Sequence, residues 1–248
     1  MTIDALYNIY LAHPEICTDT RKIKEGALYF ALKGDNFNGN LFATQALALG
    51  AAYAIVDEKQ DSHDERIILV DEVLTTLQAL AKHHRLQLQI PVIAITGSNG
   101  KTTTKELLHA VLAQKFKTSA TVGNLNNHIG VPLTLLAIAP DTEIAIVEMG
   151  ANHQQEIAGY CTYALPNYGL INNCGKAHLE GFGSEEGVRK GKGELYDFIR
   201  AHQGTIFINN DFEYLQTMAQ GIESRISYGT SNAQIIGKDT TDSPLLQV

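Results

Sequence analysis

Apolar residues along this chain recur with two periods, and the switches between them outline alternating strands and helices. Ala27 to Leu32 reads as a short apolar strand. Leu41 to Leu49 has helical spacing and ends at Gly50, a residue suited to a helix C-terminus. Tyr53 to Val56 and Ile67 to Val70 read as strands, and Val73 to Arg85 as a helix with Leu74, Leu77, Leu80 and Ala81 on one face. Gln87 to Pro91 looks like a join. Beyond it, Val92 to Thr96 is a β-branched strand that opens a second alternating run. Its later strands are Ile144 to Glu148, Tyr168 to Asn172 and Thr205 to Asn209; its helices are about Thr102 to Lys115, Gln154 to Tyr163 and Ser184 to Ala201. After Ile226 the pattern turns to short strands. The expected fold class is α/β, with a small N-terminal α/β domain over residues 1–88. A second domain with a mostly parallel sheet flanked by helices is expected over residues 91–248.

Composition narrows the function classes. The 248 residues are enough to bury a core, and 44% hydrophobic with 19% charged residues is ordinary for a globular protein. The formal net charge of −8 repels a phosphate backbone, so no nucleic-acid partner is expected and any phosphate site has to be local. Cys17, Cys161 and Cys174 are widely spaced with no C-x-x-C pair, which predicts reduced thiols and a cytoplasmic protein. Met1 to Ala12 carries Asp4 and no basic flank, unlike a secretory signal. No run approaches the roughly 20 apolar residues of a membrane span, so no membrane insertion is expected.

The chemistry gathers after the Val92 to Thr96 strand. Gly97-Ser98-Asn99-Gly100-Lys101-Thr102-Thr103 lies between that strand and a helix, the context a phosphate-binding loop (P-loop) requires. The glycines are expected to let backbone N–H groups turn inward, and the helix N-terminus adds partial positive charge. Lys101 can reach the β- and γ-phosphates of ATP, and the Thr102 hydroxyl can ligate Mg²⁺. The common form of this loop has four residues between its glycines; here there are two, and Ile95 stands where the standard spacing would have glycine. The competing reading is a plain glycine turn with a chance lysine. At average residue frequencies such a match arises in well under about 1% of chains of this length.

Further candidates follow. Glu148 ends an apolar strand, at the edge where ligands gather in open parallel sheets, and could hold Mg²⁺ there; a solvated strand-end carboxylate is the alternative. His178 follows the next strand in a glycine-containing loop, as a ligand or as a surface residue. Lys190 and Lys192 lie on the following helix beside Gly191 and Gly193, whose cost in a helix suggests a close approach. Asn124, Asn126, Asn127 and His128 could serve a polar ligand or cap the helix that follows.

The loop T-G-S-N-G-K-T-T-T at Thr96 to Thr104 resembles that of the Mur ligases and their folylpolyglutamate synthetase relatives. D-T-R-K-I-K-E-G-A-L-Y-F-A-L-K-G at Asp19 to Gly34, G-N-L-N-N-H-I-G-V-P-L-T-L-L at Gly123 to Leu136, V-E-M-G-A at Val147 to Ala151 and A-H-L-E-G-F-G-S at Ala177 to Ser184 extend the resemblance over nearly the whole chain. The last three are most similar to the branch that adds D-Ala-D-Ala to UDP-MurNAc-tripeptide in peptidoglycan synthesis. That resemblance implies an ATP-dependent ligase working through an acyl phosphate. It implies catalytic roles for Lys101, Lys192 and His178, and nucleotide contacts from Gly97 to Thr103. Thr102 and Glu148 would hold one Mg²⁺, and His178 a second. Lys192 corresponds to a carbamoylated lysine. Asp19, Thr20 and Arg21 belong to a uridine-binding domain, and Asn126 and Asn127 lie where substrate is held. A monomer is expected.

Family members also have a third domain, which receives the incoming amine, and a late G-x-H-N-x-x-N-type segment. Neither is found before Val248, so the reading is of a truncated chain with an incomplete ATPase domain, not competent alone. A MurE-like or folylpolyglutamate-synthetase-like ligase is the neighbouring alternative. A non-catalytic nucleotide-binding module is the alternative of another class.

Overall fold

The structure is a computed structural model and describes residues 1–175 and 179–238. It divides into two compact units: Met1–Gln89 with Pro132–Ala139, and Ile90–Val131 with Pro140 onward.

In the first unit the order is α1 (Ile3–Ala12), β1 (Ile16–Cys17), β2 (Leu28–Phe30), β3 (Lys33–Gly34), β4 (Phe37–Asn38), α2 (Ala43–Ala48), β5 (Tyr53–Val56), β6 (Ile67–Leu69) and α3 (Val73–Gln87). Strands β1-β2-β5-β6 form a parallel sheet, and β3 and β4 a small antiparallel pair. Tyr29, Ala31, Ala54 and Val56 pack with Ala43, Ala46 and Leu47 of α2. Those small residues let the helix lie close to the sheet. Gly50, at φ 105°, ends the helical segment begun by a 3-10 turn at Gly39–Phe42. Helix α1, capped by the Thr2 hydroxyl, packs on α3.

The second unit runs β7 (Val92–Thr96), α4 (Lys101–Leu112), β8 (Thr118–Ala120), β9 (Ile144–Glu148), α6 (Glu156–Ala164), β10 (Tyr168–Ile171), α7 (Leu179–Phe182), α8 (Glu185–Ala201), β11 (Thr205–Asn209), α9 (Glu213–Met218), β12 (Ser224–Gly229) and β13 (Ile235–Ile236); α5 (Gly130–Leu136), between β8 and β9 in the chain, starts in this unit and belongs to the first from Pro132 on. Its sheet has the order β13-β12-β11-β10-β7-β9-β8, and every pairing is parallel. All five residues of β7 are buried, as a central parallel strand covered on both faces demands. On one face Ile93, Ile95, Ile146 and Leu170 pack with Leu108 and Leu112 of α4. On the other, Leu195 and Ile199 of α8 press on Gly169, where a Cβ would come within 3.0 Å of Ile199.

Strand order decides where chemistry can assemble. After β7 the chain moves outward to β8, returns to β9, and then crosses β7 to β10 on its other side. The C-terminal ends of β9, β7 and β10 therefore lie side by side, with the loop after β7 in the middle. Open parallel sheets bind ligands at such a reversal of winding.

Candidate functional site

The loop from Gly97 to Gly100 is shaped by two left-handed positions, Gly97 at φ 150° and Gly100 at φ 77°. A Cβ on Gly97 would meet the Asn172 side chain at 3.0 Å, so the tail of β10 and the loop lie in close contact. Several hydrogen bonds join them. Ser98 N–H donates to Asn173 O at 2.9 Å and Asn99 N–H to Asn173 Oδ1 at 3.1 Å. The Ser98 hydroxyl donates to Gly175 O at 3.1 Å, and Asn172 Nδ2 to the Thr104 hydroxyl at 2.9 Å. Two loop amides expected to turn inward are thus used to fix the loop to its neighbour. The first-turn amides of α4 are donors available to an anion. Gly100 caps that helix without a side chain, and Thr104 N–H is the first amide seen donating back along it, to Gly100 O.

Lys101 folds over this loop, its Nζ donating to Gly97 O at 2.8 Å and Ser98 O at 3.3 Å. Burial pushes its pKa down, while the Glu148 carboxylate pulls it the other way. Both acceptors are neutral carbonyls, so an arriving phosphate would give the ammonium a stronger, charge-assisted partner.

On the other flank, Glu148 closes β9 opposite Ile95 and is 1% exposed. Its Oε1 accepts from the Thr102 hydroxyl at 3.2 Å and from Asn126 Nδ2 at 2.7 Å. Its Oε2 is buried with no hydrogen-bond partner among the described residues. A buried carboxylate oxygen without a donor is costly unless a cation satisfies it. The donor set fits magnesium: one hydroxyl and one carboxylate, hard oxygens that would share the ion with phosphate and water. Among the described residues no cluster of three or more His, Cys, Asp or Glu side chains forms an all-protein cage.

Comparison with known proteins places the chain in a family. A family model described as the Mur ligase middle domain matches residues 95–244, more than half of the chain. The chain belongs to the Mur ligase family. A second family model, described as the Mur ligase family catalytic domain, matches residues 15–85. The chain is 44% identical over 196 residues to the UDP-N-acetylmuramoyl-tripeptide–D-alanyl-D-alanine ligase of Escherichia coli, covering 79% of this chain and 43% of that protein. It is 41% identical over 198 residues to the Bacillus subtilis ligase of the same name, again covering 79% and 43%. The solved MurF ligase of Thermotoga maritima in complex with ADP superposes with a TM-score of 0.84 at 31% identity, covering 92% of this chain and 53% of that one. The chain spans about half the length of these relatives.

The remaining residues singled out in the sequence sit as follows. Lys192, on α8, is 1% exposed; its Nζ donates to Ala151 O at 2.9 Å and lies 5.1 Å from the Phe182 ring centroid. Burial, aided by the charge of Lys101, lowers its pKa to about 8. The close approach suggested by its flanking glycines is present at Gly191, where a Cβ would fall 2.4 Å from the Phe182 ring. Asn126 holds Glu148, and Asn127 caps α5, its Oδ1 accepting from Ile129 N–H and Gly130 N–H. Asp19 caps a 3-10 turn at Thr20–Lys22 in the first unit, and its paired guanidinium, Arg21, holds its carboxyl down to about 2. His178 lies outside the described residues.

Residues not anticipated as part of the site also matter. Asn172 and Asn173 fasten the loop, and the Tyr214 hydroxyl accepts the Cys174 N–H at 3.1 Å just beyond them. A polar pair directly after an apolar strand was the available signal. Tyr214 also lines a cavity of about 310 Å³ with Glu186, Arg189 and Met218, which no phosphate-loop residue lines.

Proposed function

We propose that this chain is the ATP-binding part of a ligase that joins D-alanyl-D-alanine to UDP-MurNAc-tripeptide in the cytoplasmic synthesis of peptidoglycan precursors. The observation that carries the nucleotide half is the buried Oε2 of Glu148, unpartnered among the described residues, beside Thr102, which follows Lys101 in the open first turn of α4. The names of the relatives supply the substrates.

In the proposed reaction a carboxylate oxygen of the tripeptide attacks the γ-phosphorus of ATP. The bond from that phosphorus to the β–γ bridging oxygen breaks, ADP leaves and an acyl phosphate forms. The amine of D-Ala-D-Ala then attacks the acyl carbon, loses a proton and expels inorganic phosphate, leaving an amide. Lys101 and the first-turn amides would bind the β- and γ-phosphates, where negative charge shifts as the bond breaks. Magnesium, held by Thr102 and Glu148, would supply further neutralisation of that charge. Asn126 orients the carboxylate that faces it. A role for His178 at a second magnesium rests on the resemblance alone.

Lys192 has properties suited to carbamoylation. Its lowered pKa leaves much of the amine neutral near pH 8, and the neutral nitrogen can add to carbon dioxide with loss of one proton. The product keeps one N–H, enough to donate to Ala151 O as the amine does. In the first unit, Asp19, Thr20 and Arg21 are proposed to serve the uridine end of the substrate. Asn126 and Asn127 are proposed to lie beside its peptide end.

Calorimetric titration with ATP·Mg²⁺, UDP and UDP-MurNAc-tripeptide tests the proposal. ATP·Mg²⁺ should bind, and Lys101→Ala should weaken it by about 10- to 100-fold, the scale of one charge-assisted contact. UDP-MurNAc-tripeptide should bind more tightly than UDP. ATP·Mg²⁺ binding with no response to either uridine ligand would instead favour a nucleotide-binding module. Failure to bind ATP·Mg²⁺ would sink the proposal.

A further inference from the structure

Lys105 lies one helix turn beyond Lys101 on α4, and its side chain is 0% exposed. A buried ammonium is unfavourable unless its donors are satisfied. This one donates to Thr121 O at 2.7 Å and pairs at 2.7 Å with Glu106, a carboxylate that is itself 62% exposed. The proposed reaction makes no use of so costly a residue.

Its partner is unusually constrained. Thr121 is 2% exposed and follows β8, an edge strand of only three residues, Thr-Ser-Ala. All of its polar groups are engaged. Its N–H donates to Ile146 O at 3.0 Å, its carbonyl takes the Lys105 ammonium, and its hydroxyl accepts the N–H of Glu148 at 2.9 Å. Glu148 is therefore tied to α4 twice. Its carboxylate meets Thr102 directly, and its backbone is held through Thr121 by Lys105. Both ties arise from one helix, on residues three apart.

We propose that Lys105 is a positioning residue for Glu148. It clamps Thr121 to α4 and thereby fixes the backbone of Glu148, so that the Thr102 hydroxyl and the Glu148 carboxylate keep the separation at which both reach one cation. An apolar side chain could fill the same space, but it could not grip a carbonyl. The inference rests on the proposed magnesium role of Thr102 and Glu148 and adds a supporting shell to it.

The test uses the intact chain and reads binding and folding. ATP affinity is measured by calorimetry over a magnesium series, alongside thermal melting, for wild type, Lys105→Met, Thr121→Val, Thr121→Ser and Glu148→Gln. Lys105→Met and Thr121→Val should each raise the magnesium concentration for half-maximal effect by about 10- to 100-fold, the range for partners of metal ligands. Magnesium-free ATP affinity should stay near wild type, and Thr121→Ser, which keeps the hydroxyl, should restore the midpoint. Lys105→Met combined with Thr121→Val should shift no further than the larger single variant, because both act through one chain of bonds.

A Lys105→Met chain that melts earlier but keeps the wild-type magnesium midpoint would reduce Lys105 to a structural residue and overturn the proposal. If Lys105→Met does not fold, an unshifted midpoint in Thr121→Val overturns it equally. Glu148→Gln separates the two levels. No change there, in a chain that still binds ATP, would remove the magnesium reading itself; a change there without one in the other variants removes only the role of Lys105.

Discussion

Lys192 shows how a single buried side chain acquires reactivity from its surroundings. Its ammonium is desolvated among Phe182, Ala151 and the body of α8, so its pKa falls from 10.5 to about 8. The amine sheds its proton at lower pH in the folded chain than in the unfolded one. Holding the cation therefore penalises the fold, fully below about pH 8, and the penalty disappears as pH rises toward 10.5. Relative to wild type, Lys192→Met should accordingly be more stable at pH 7 than at pH 10 by about 2–3 kcal/mol in denaturant titrations, whatever the constant cost of leaving Ala151 O without its donor. The same shift would govern the proposed carbamoylation. With isotope-labelled bicarbonate, a carbamate signal should grow as pH rises through about 8, well below the range of an ordinary lysine, and should be absent from Lys192→Met. A signal that grows only as ordinary lysines deprotonate would count against a tuned amine.

At the scale of elements, α8 joins a polar function to a packing demand. Gly187 and Gly191 face Phe182 so closely that a Cβ would stand 2.0 Å from its carbonyl oxygen and 2.4 Å from its ring, whereas Gly193 meets only the methyl of Met218 at 3.3 Å. Gly191→Ala should cost about 1–3 kcal/mol through overpacking and disturb the wall beside Lys192. Gly193→Ala, with a flexible neighbour and better helix propensity, should be neutral or stabilise by up to about 1 kcal/mol. Urea unfolding of the two variants distinguishes these outcomes, and equal effects would refute the assigned contact. The sequence made α8 legible as a helix over about Ser184 to Ala201, and β7, β9 and β11 legible through short apolar runs that end where the structure ends them. Helix α1 and strands β1 and β8 escaped the reading: β1 has two residues, and β8 is Thr-Ser-Ala, with no apolar pattern to detect. The fastening of the loop by Asn172 and Asn173 was hidden for another reason. It depends on β10 lying next to β7, and strand order is not written in local periodicity. The contact between Asn126 and Glu148 likewise needs the chain's return to β9.

For the molecule as a whole, the charge balance and the two units make one connected point. A chain of net charge −8 repels nucleotides at long range, so the proposed binding would have to come from local donors: Lys101 and helix amides in the second unit, and Arg21, as proposed, in the first. Each ligand should then protect mainly the unit that supplies its donors. A ligand at about 100 times its Kd stabilises the structure it binds by about 2.7 kcal/mol, enough to slow amide exchange roughly a hundredfold wherever exchange requires opening of that unit. Saturating ATP·Mg²⁺ should therefore slow hydrogen exchange across β7, α4, β9 and β10, and leave β2, β5 and α3 near their ligand-free rates. A bound uridine nucleotide should do the reverse. Protection by ATP·Mg²⁺ spreading equally over both sheets would mean that the units open as one cooperative body. In that case the binding energy supplied at the phosphate loop would stabilise the first unit as well. Affinity would still come from local donors, but the stability gained would be shared by both units.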